Sequence, residues 1–578
     1  MRKYIFLTIF TLTHLFALAD INSTKEYQLV LNVTKSLNKK DIAKTIGVKS
    51  SDLVDFFDNK MIITEEFAKN IEPTLKGYLE SHGYFDATYN INKRNNIIDI
   101  SINEGEPVLV KSVKVESNFD IKKIVSWKEG DIFSSNRFVK IKGEIETKLL
   151  ENGYCNANLD TKSYVDLKQH SAKLVYKLDK GKVCYFGDIK IVKKPSDIKK
   201  DVILSRLAYK RGDIFDIRKI KNSYSGLNSL GTFANLQIKY ELNKNTYVDT
   251  SVSLDKKDKL RRYMVALGVD SEIGLRAKGL WEKHNFLSNA KKITYELSFS
   301  KNRQELQATL FAPAFYSLND YYLDFYLKGG FLRDKEDAYK EKSAFINGYL
   351  EYNNNSIQAQ AGIELKRLNI KLFGNYPSKI GGVFNILSPY ATLVYDKRDS
   401  KIDPKNGYYL KAYGEFGLNY RTNGVKYFKY QFEGRAIKSF DDLTLSAVGK
   451  FGAIHESNGR LPASKLFYGG GLFSNRAYGK DKIGSIISSR SFSALGGKSF
   501  INLQLEANYK IHKKFYGAVF VDSTMISKKE YSFHGKRIDT AGFGLRYKTP
   551  IGPIKIDVGF NIHKRKDYAI SIMLGQSF

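Results

Sequence analysis

The sequence predicts α+β modules in tandem followed by a transmembrane antiparallel β-barrel of 16 strands. Three observations predict it. An export signal opens the chain, a repeated strand-and-helix grammar fills the next stretch, and the C-terminal half alternates apolar and polar residues with period two.

The chain opens MRKYIFLTIFTLTHLFALAD. Arg2 and Lys3 give a charged start, Tyr4 to Phe16 are mostly apolar, and Ala17-Leu18-Ala19 is a small-residue cleavage site. Residues 1–19 therefore read as a secretory signal peptide. No later stretch approaches eighteen consecutive apolar residues, so no transmembrane helix is predicted for the exported chain. The 38 Tyr and 37 Phe suit a barrel, whose signal is spread over many weak strands. A net charge of +32 fits lysine-rich solvated faces, with attraction to anionic headgroups or an acidic partner as the functional reading. No nucleic-acid partner is predicted for an exported chain. Cys155 and Cys184 are too few for a disulfide scaffold, and a bridge or two buried thiols are both open. The eight His are scattered, with His284 and His512 read as packed or solvated. Without a metal-ligand spacing or a nucleophile motif, no catalytic residue, metal or cofactor is assigned and the chain does not read as an enzyme.

The modules come first. KEGDIFSSNRFVKIKGEIETKLLENGYCNANL (128–159) and KRGDIFDIRKIKNSYSGLNSLGTFANLQI (210–238) share a Gly-Asp-Ile-Phe start. In the former, Phe138, Ile141, Ile145 and Leu149 draw one helical face, Ser135 is placed to cap it, and Gly153 ends it in a left-handed cap. The earlier copy TEEFAKNIEPTLKGYLESHGYFDATYNI (64–91) puts Phe67, Ile71, Leu75 and Leu79 on one face and ends at Gly83. Alternating stretches lie between, such as VLVKSVKVES and YFGDIKIVKK. Three units of about 80 residues result, at 20–106, 107–182 and 183–259. Each offers a sheet edge able to accept an extended peptide.

From residue 260 to 578 the period changes. In GPIKIDVGFNIH, Ile554, Ile556, Val558, Phe560 and Ile562 point one way, and Lys555, Asp557, Gly559, Asn561 and His563 the other. YAISIMLGQSF and NLQLEANYKI repeat this, with Glu506 on the polar side. In FYGAVFVDST, Phe515, Gly517, Val519 and Val521 face out and Asp522 faces in. Divided by sixteen, the segment allows about 20 residues per strand and connection, enough for membrane-crossing strands. Asn406-Gly407 predicts a short periplasmic hairpin.

Several of these stretches carry a family resemblance. The element order and the Gly-Tyr-x-x-Ala closings at Gly83–Ala87 and Gly153–Ala157 resemble POTRA domains, the periplasmic modules of outer-membrane assembly barrels. The third copy departs, reading Gly-Thr-Phe-Ala at 231–234. GGGLFSNRAYG (469–479) resembles the signature of the BamA/TamA superfamily, in which an aliphatic residue precedes Arg-Gly and an aromatic, and whose sixth extracellular loop folds into the lumen. Arg476 and Tyr478 match it, whereas Asn475 and Ala477 depart. FYGAVFVDST is similar to the family strand whose acid meets the loop arginine. The resemblance thus implies a structural latch: Arg476 held by Asp522 first and Glu506 second, with Gly469, Gly470 and Gly471 letting the chain thread the lumen.

Three POTRA-like units before the barrel are most similar to the TamA-like branch. That implies assistance in inserting β-barrel proteins, notably autotransporters, through a weak seam between the first and last strands. Val265, Leu267 and Gly268 would line one side of it, and Ile572, Leu574, Gly575 and Phe578 the other, with a kink near Gly575. The implied partners are a TamB-like inner-membrane-anchored protein at the POTRA-like modules, nascent barrel substrates and outer-membrane lipid. A general BamA-like assembly role, or a two-partner-secretion pore exporting a dedicated protein, are the alternatives.

Overall fold

The computed structural model describes residues 25–33, 37–48, 61–243, 246–319, 321–354, 356–421, 426–457, 461–487, 494–532, 534–549, 552–564 and 566–574. The expected signal peptide, Gly575 and Phe578 lie outside the described residues. The chain divides into two compact units, one running to Phe186 and adding 212–217 and 242–248, the other holding the remainder.

In the first unit, the strands Met61–Thr64, Glu26–Asn32, Ile97–Asn103 and Thr88–Arg94 lie side by side in that order. Helix Ile71–Ser81 covers them, burying Ile71, Leu75, Tyr78 and Leu79 at helical spacing. Phe67 does not join this face. It sits in a separate helical turn, Glu65–Ala68, and stays 49% exposed, because the chain breaks at Lys69 before the longer helix begins.

The next sheet orders Leu109–Ser117, Ser171–Asp179 and Asn158–Asp166. Helix Ser135–Glu151 lays Phe138, Ile141, Ile145 and Leu149 on it. Its cap is Ser134, not Ser135: Ser134 holds extended torsions and its hydroxyl accepts from the Arg137 backbone N–H at 3.3 Å, leaving Ser135 as the first helical residue. Gly153 follows at φ +86°, where a Cβ would press on Ile214. Cys155 and Cys184 are joined in a disulfide, which settles the open alternative.

The third small sheet orders Tyr185–Lys193, Tyr247–Lys256 and Phe233–Leu242, with most of its residues in the second unit. There it grips the barrel rim. Asp197 accepts from Lys256 and from the Asn285 side chain, both at 2.7 Å, and Arg206 Nη2 donates to Asp324 at 2.6 Å. The turn it meets is unusual: Leu287, Ser288, Asn289 and Ala290 all have φ between 53° and 63°.

Sixteen sequential antiparallel strands then close into a barrel, from Arg261–Asp270 to Tyr568–Leu574. Alternation decides which way each side chain points. Leu503, Leu505, Val519, Val521, Phe560 and Ile570 are exposed on the outer wall, while Asn502, Asp522, Asp557 and Ser571 are buried inside. The lumen holds its own apolar core, in which Phe384, Ile386, Ile454, Phe467, Ile483 and Phe500 pack together. Asn406-Gly407 is not a tight turn. The connection between Gly382–Asp396 and Gly407–Asn419 spans ten residues, held by Asp399 accepting from the Lys405 and Asn406 backbones.

Candidate functional site: the lumen loop and the strand seam

Strands Leu443–Glu456 and Ser499–His512 are the eleventh and twelfth of the barrel, so their connection is the sixth on the rim away from the third small sheet. Its tip turns back on itself. Gly470 and Gly471 take φ of +101° and +89°, which a side chain would resist, and the Gly471 N–H donates to the Tyr478 carbonyl at 2.8 Å. Gly469 serves differently: a Cβ there would lie 2.8 Å from Thr524 Cγ2, so its bareness permits close approach to the wall.

This turn presents Arg476, 4% exposed, to the inner face of the barrel. Its Nε and Nη2 donate to Asp522 Oδ2 and Oδ1 at 2.9 and 2.8 Å, and its backbone N–H donates to the same carboxylate at 3.0 Å. Nη1 donates to Glu506. The guanidinium lies 3.4 Å from the Phe520 ring centroid, a cation–π stack that fixes its plane. A second arginine completes the cluster: Arg546 donates to Asp557 at 2.5 Å and to Glu506 at 3.3 Å. Two guanidinium groups thus face three carboxylates, and the bidentate fork makes the pairing directional.

The neighbours of Arg476 are anchored too. Asn475 Nδ2 donates to the Ile538 carbonyl at 3.1 Å and its Oδ1 accepts from Thr540 at 2.7 Å. A polar residue at this position therefore bonds the wall where an aliphatic one would only pack. Ala477 is buried with a torsion outside the left-handed region, so no glycine is required. Tyr478 donates to Asp567 and accepts from Asn561, both at 2.7 Å. Farther back on the loop, Lys465 donates to Glu415 at 2.5 Å, and that carboxylate also accepts from Ser388, Tyr413 and Tyr427.

Phe520, Arg546, Asp557, Gly559 and the Lys465–Glu415 pair were not assigned from sequence. Alternation places Asp557 and Gly559 on the inner register, and the same alternation points Phe520 and Arg546 inward. Gly559 has a distinct reason to be bare: a Cβ there would sit 2.5 Å from the Arg476 carbonyl oxygen. The Lys465–Glu415 pair gave no local signal, since its members lie fifty residues apart.

The seam is the barrel's other irregular feature. The first strand pairs with the second over ten positions, Arg261↔Lys283 to Asp270↔Gly274. Among the described residues it pairs with the last strand at Val269↔Leu574 and Asp270↔Met573, extended by the Ser271 N–H donating to the Ile572 carbonyl at 3.0 Å. Val265, Leu267 and Gly268 lie on the stretch of the first strand that has no partner strand on this side among the described residues. Val265 and Leu267 are 78% and 73% exposed. Ile572 lies at the paired end, also opposite Ile556 of the neighbouring strand.

With this geometry, the comparisons with known proteins are decisive for the family. An Omp85 superfamily domain matches residues 285–578, and a surface antigen variable number repeat, the POTRA family, matches residues 108–181. This chain belongs to the Omp85 superfamily. Among curated relatives, it is 21% identical to the outer membrane protein assembly factor BamA of Nitratidesulfovibrio vulgaris, over 92% of this chain and 70% of that protein. It is 20% identical to BamA of Neisseria meningitidis, over 89% of this chain and 73% of that one. Among solved structures, BamA from Haemophilus ducreyi lacking POTRA domains 1–3 superposes with a TM-score of 0.53 at 15% identity, covering 81% of this chain and all of that one. The Omp85 barrel accordingly sits in the outer membrane with its POTRA-like modules in the periplasm. Its sixth outward loop is therefore extracellular in origin and lumenal in position.

Proposed function

We propose that this Omp85 chain is an outer-membrane assembly factor that helps β-barrel proteins, autotransporters among them, enter the membrane in the manner of the TamA-like branch. The two-pair seam carries the reading. Among the described residues the backbone groups along Arg261–Gly268 have no partner strand on that side, and such an edge is a template for an incoming strand. Strand pairing and burial of apolar side chains in lipid drive the insertion, so no nucleotide or catalytic group is needed. Arg476 with Asp522, Glu506 and Tyr478 acts as the latch that keeps the loop inside and the adjacent wall rigid while the seam opens. The POTRA-like modules, at 20–106, 107–182 and 183–259, receive substrate segments by edge pairing, and a TamB-like inner-membrane-anchored protein docks on them.

The BamA relatives favour a second reading, a general assembly role for many barrels. Depletion of the chain followed by an outer-membrane proteome separates the two: loss of a few autotransporter-like barrels supports the specialised role, and broad loss the general one. A disulfide across Val269→Cys and Leu574→Cys tests the shared premise. Locked chains should fail to support insertion, and undiminished insertion by the locked protein would refute the seam mechanism.

A further inference from the structure

The outer wall of the barrel carries a charged feature far in sequence from the loop latch. Strands Tyr321–Lys335, Tyr339–Asn353 and Ile357–Leu372 are the fifth, sixth and seventh, and their extracellular ends lie side by side. On the lipid-facing register of these ends stand Arg333, Lys335, Lys340, Lys342, Arg367 and Lys371. Lys340 is half-buried and the other five are exposed. Cross-strand partners repeat the sign: Arg333 opposes Lys342, Lys335 opposes Lys340, and Lys340 opposes Lys371. Like charges directly opposite one another destabilise a sheet, so this arrangement calls for a counter-charge.

Nearby acids do not supply it. Asp334 and Glu341 take the alternate register and face the lumen, where Arg303 lies 3.5 Å from the first and Lys366 2.6 Å from the second. At the intervening turn, Glu336 is taken by Lys480 at 2.5 Å and Asp337 by Lys482, both from the sixth loop. None of the six basic residues has a carboxylate partner among the described residues. Arg333 instead donates to the Gln304 side chain at 3.3 Å, and Lys335 lies 6.0 Å from the Phe373 ring. Immediately below on the same outer face, exposed Phe331, Ile346, Ile363 and Leu365 form an apolar band. The patch therefore sits just beyond the hydrocarbon boundary, at headgroup height.

We propose that this patch binds the phosphate groups of an acidic glycolipid of the outer leaflet, the phosphorylated lipid A type, whose acyl chains lie against the apolar band. The site commits to a lipid because the charges and the apolar band are contiguous on one wall. A soluble anion would use the charges and ignore the band. Bound there, the lipid neutralises the facing like charges of these three strands.

The test uses the full chain in nanodiscs of phosphatidylcholine, titrated with labelled bisphosphorylated lipid A. The variant Lys340→Gln/Lys342→Gln/Lys371→Gln is expected to bind roughly a hundredfold more weakly, from the usual attraction of three basic side chains for anionic headgroups. A control, Lys39→Gln/Lys40→Gln/Lys76→Gln in the first module, removes the same charge elsewhere and should bind like the parent. Retained mobility of unboiled protein on SDS gels confirms that each barrel has folded. Parental binding by the patch variant overturns the proposal. So does an equal loss in the control, equal binding of dephosphorylated lipid A, or complete competition by inorganic phosphate at equimolar amounts.

Discussion

Replacing Arg476 by alanine removes the fork to Asp522, the bond to Glu506 and the stack on Phe520 in one step. What stays behind sets the magnitude. Asp522 is fully buried and keeps the backbone N–H of residue 476, with the Gln504 amide at 3.5 Å. Glu506 and Asp557 keep Arg546. Removing one partner of a buried ion pair costs about 3–5 kcal/mol. With two of the three acids still served by Arg546, the lower end applies, about 3 kcal/mol, or roughly a hundredfold in the loop's opening equilibrium. Protease cleavage of the loop in native vesicles reads that equilibrium when reclosing is fast. The Arg476→Ala/Asp522→Asn double variant should cost less than the sum of the singles by about 2 kcal/mol, because the stranded carboxylate is gone. Additivity within about 0.5 kcal/mol would refute a coupled latch. Arg476→Lys should fall between parent and alanine, keeping the charge without the fork.

Other perturbations reach different parts of the chain. Gly559→Leu should open the same loop without altering any ion-pairing residue, because its side chain would occupy the space of the Arg476 carbonyl; unchanged protease protection would count against the close approach. Cys155→Ser/Cys184→Ser should lower the stability of the periplasmic modules by about 3–4 kcal/mol for a crosslink of 29 residues' separation, read by denaturant unfolding of the full chain with and without reductant. His284 should make the grip of the third module sensitive to acid. Burial holds its imidazole below the usual histidine range, outweighing the raising effect of a hydrogen bond to the Leu230 carbonyl and of nearby Glu282. Protonation then favours the less folded state, so stability is unaffected above about pH 6.5 and falls as pH drops below it. Hydrogen exchange around Leu230 should report this loss, and His284→Gln should abolish the pH dependence.

Period-two alternation carried most of the barrel into view, because each strand sits between lipid and the lumen and a single register decides which way every side chain points. That rule places Glu506 and Asp522 inward, where the structure has them bonding Arg476. It says nothing about which inward residues meet across the lumen. Lys465 finds Glu415 only because the loop folds through the barrel, and no spacing in the chain encodes that path. Phe67 and Ser135 show the limit at element ends, where a one-residue shift of a cap or a break between two short helices redirects a side chain without disturbing the apolar pattern. The basic patch was hidden in another way: a net charge of +32 makes every lysine look ordinary until strand pairing sets six cations together on one wall.

The unequal heights of the barrel strands have a consequence for the surrounding lipid. Those flanking the seam, Arg261–Asp270, Gly274–Lys283 and Gly552–Asn561, run ten residues, against fifteen or sixteen for Tyr339–Asn353, Ile357–Leu372 and Gly382–Asp396, the sixth to eighth strands. At about 3.4 Å per residue that is a difference of roughly 17–20 Å along the strand, or about 12–16 Å in wall height once the usual strand tilt is allowed for. A bilayer matched to that uneven collar is compressed on its low side and relaxed on its tall side. A newcomer arriving at the low side meets the shortest stretch of oil that its polar loops must cross.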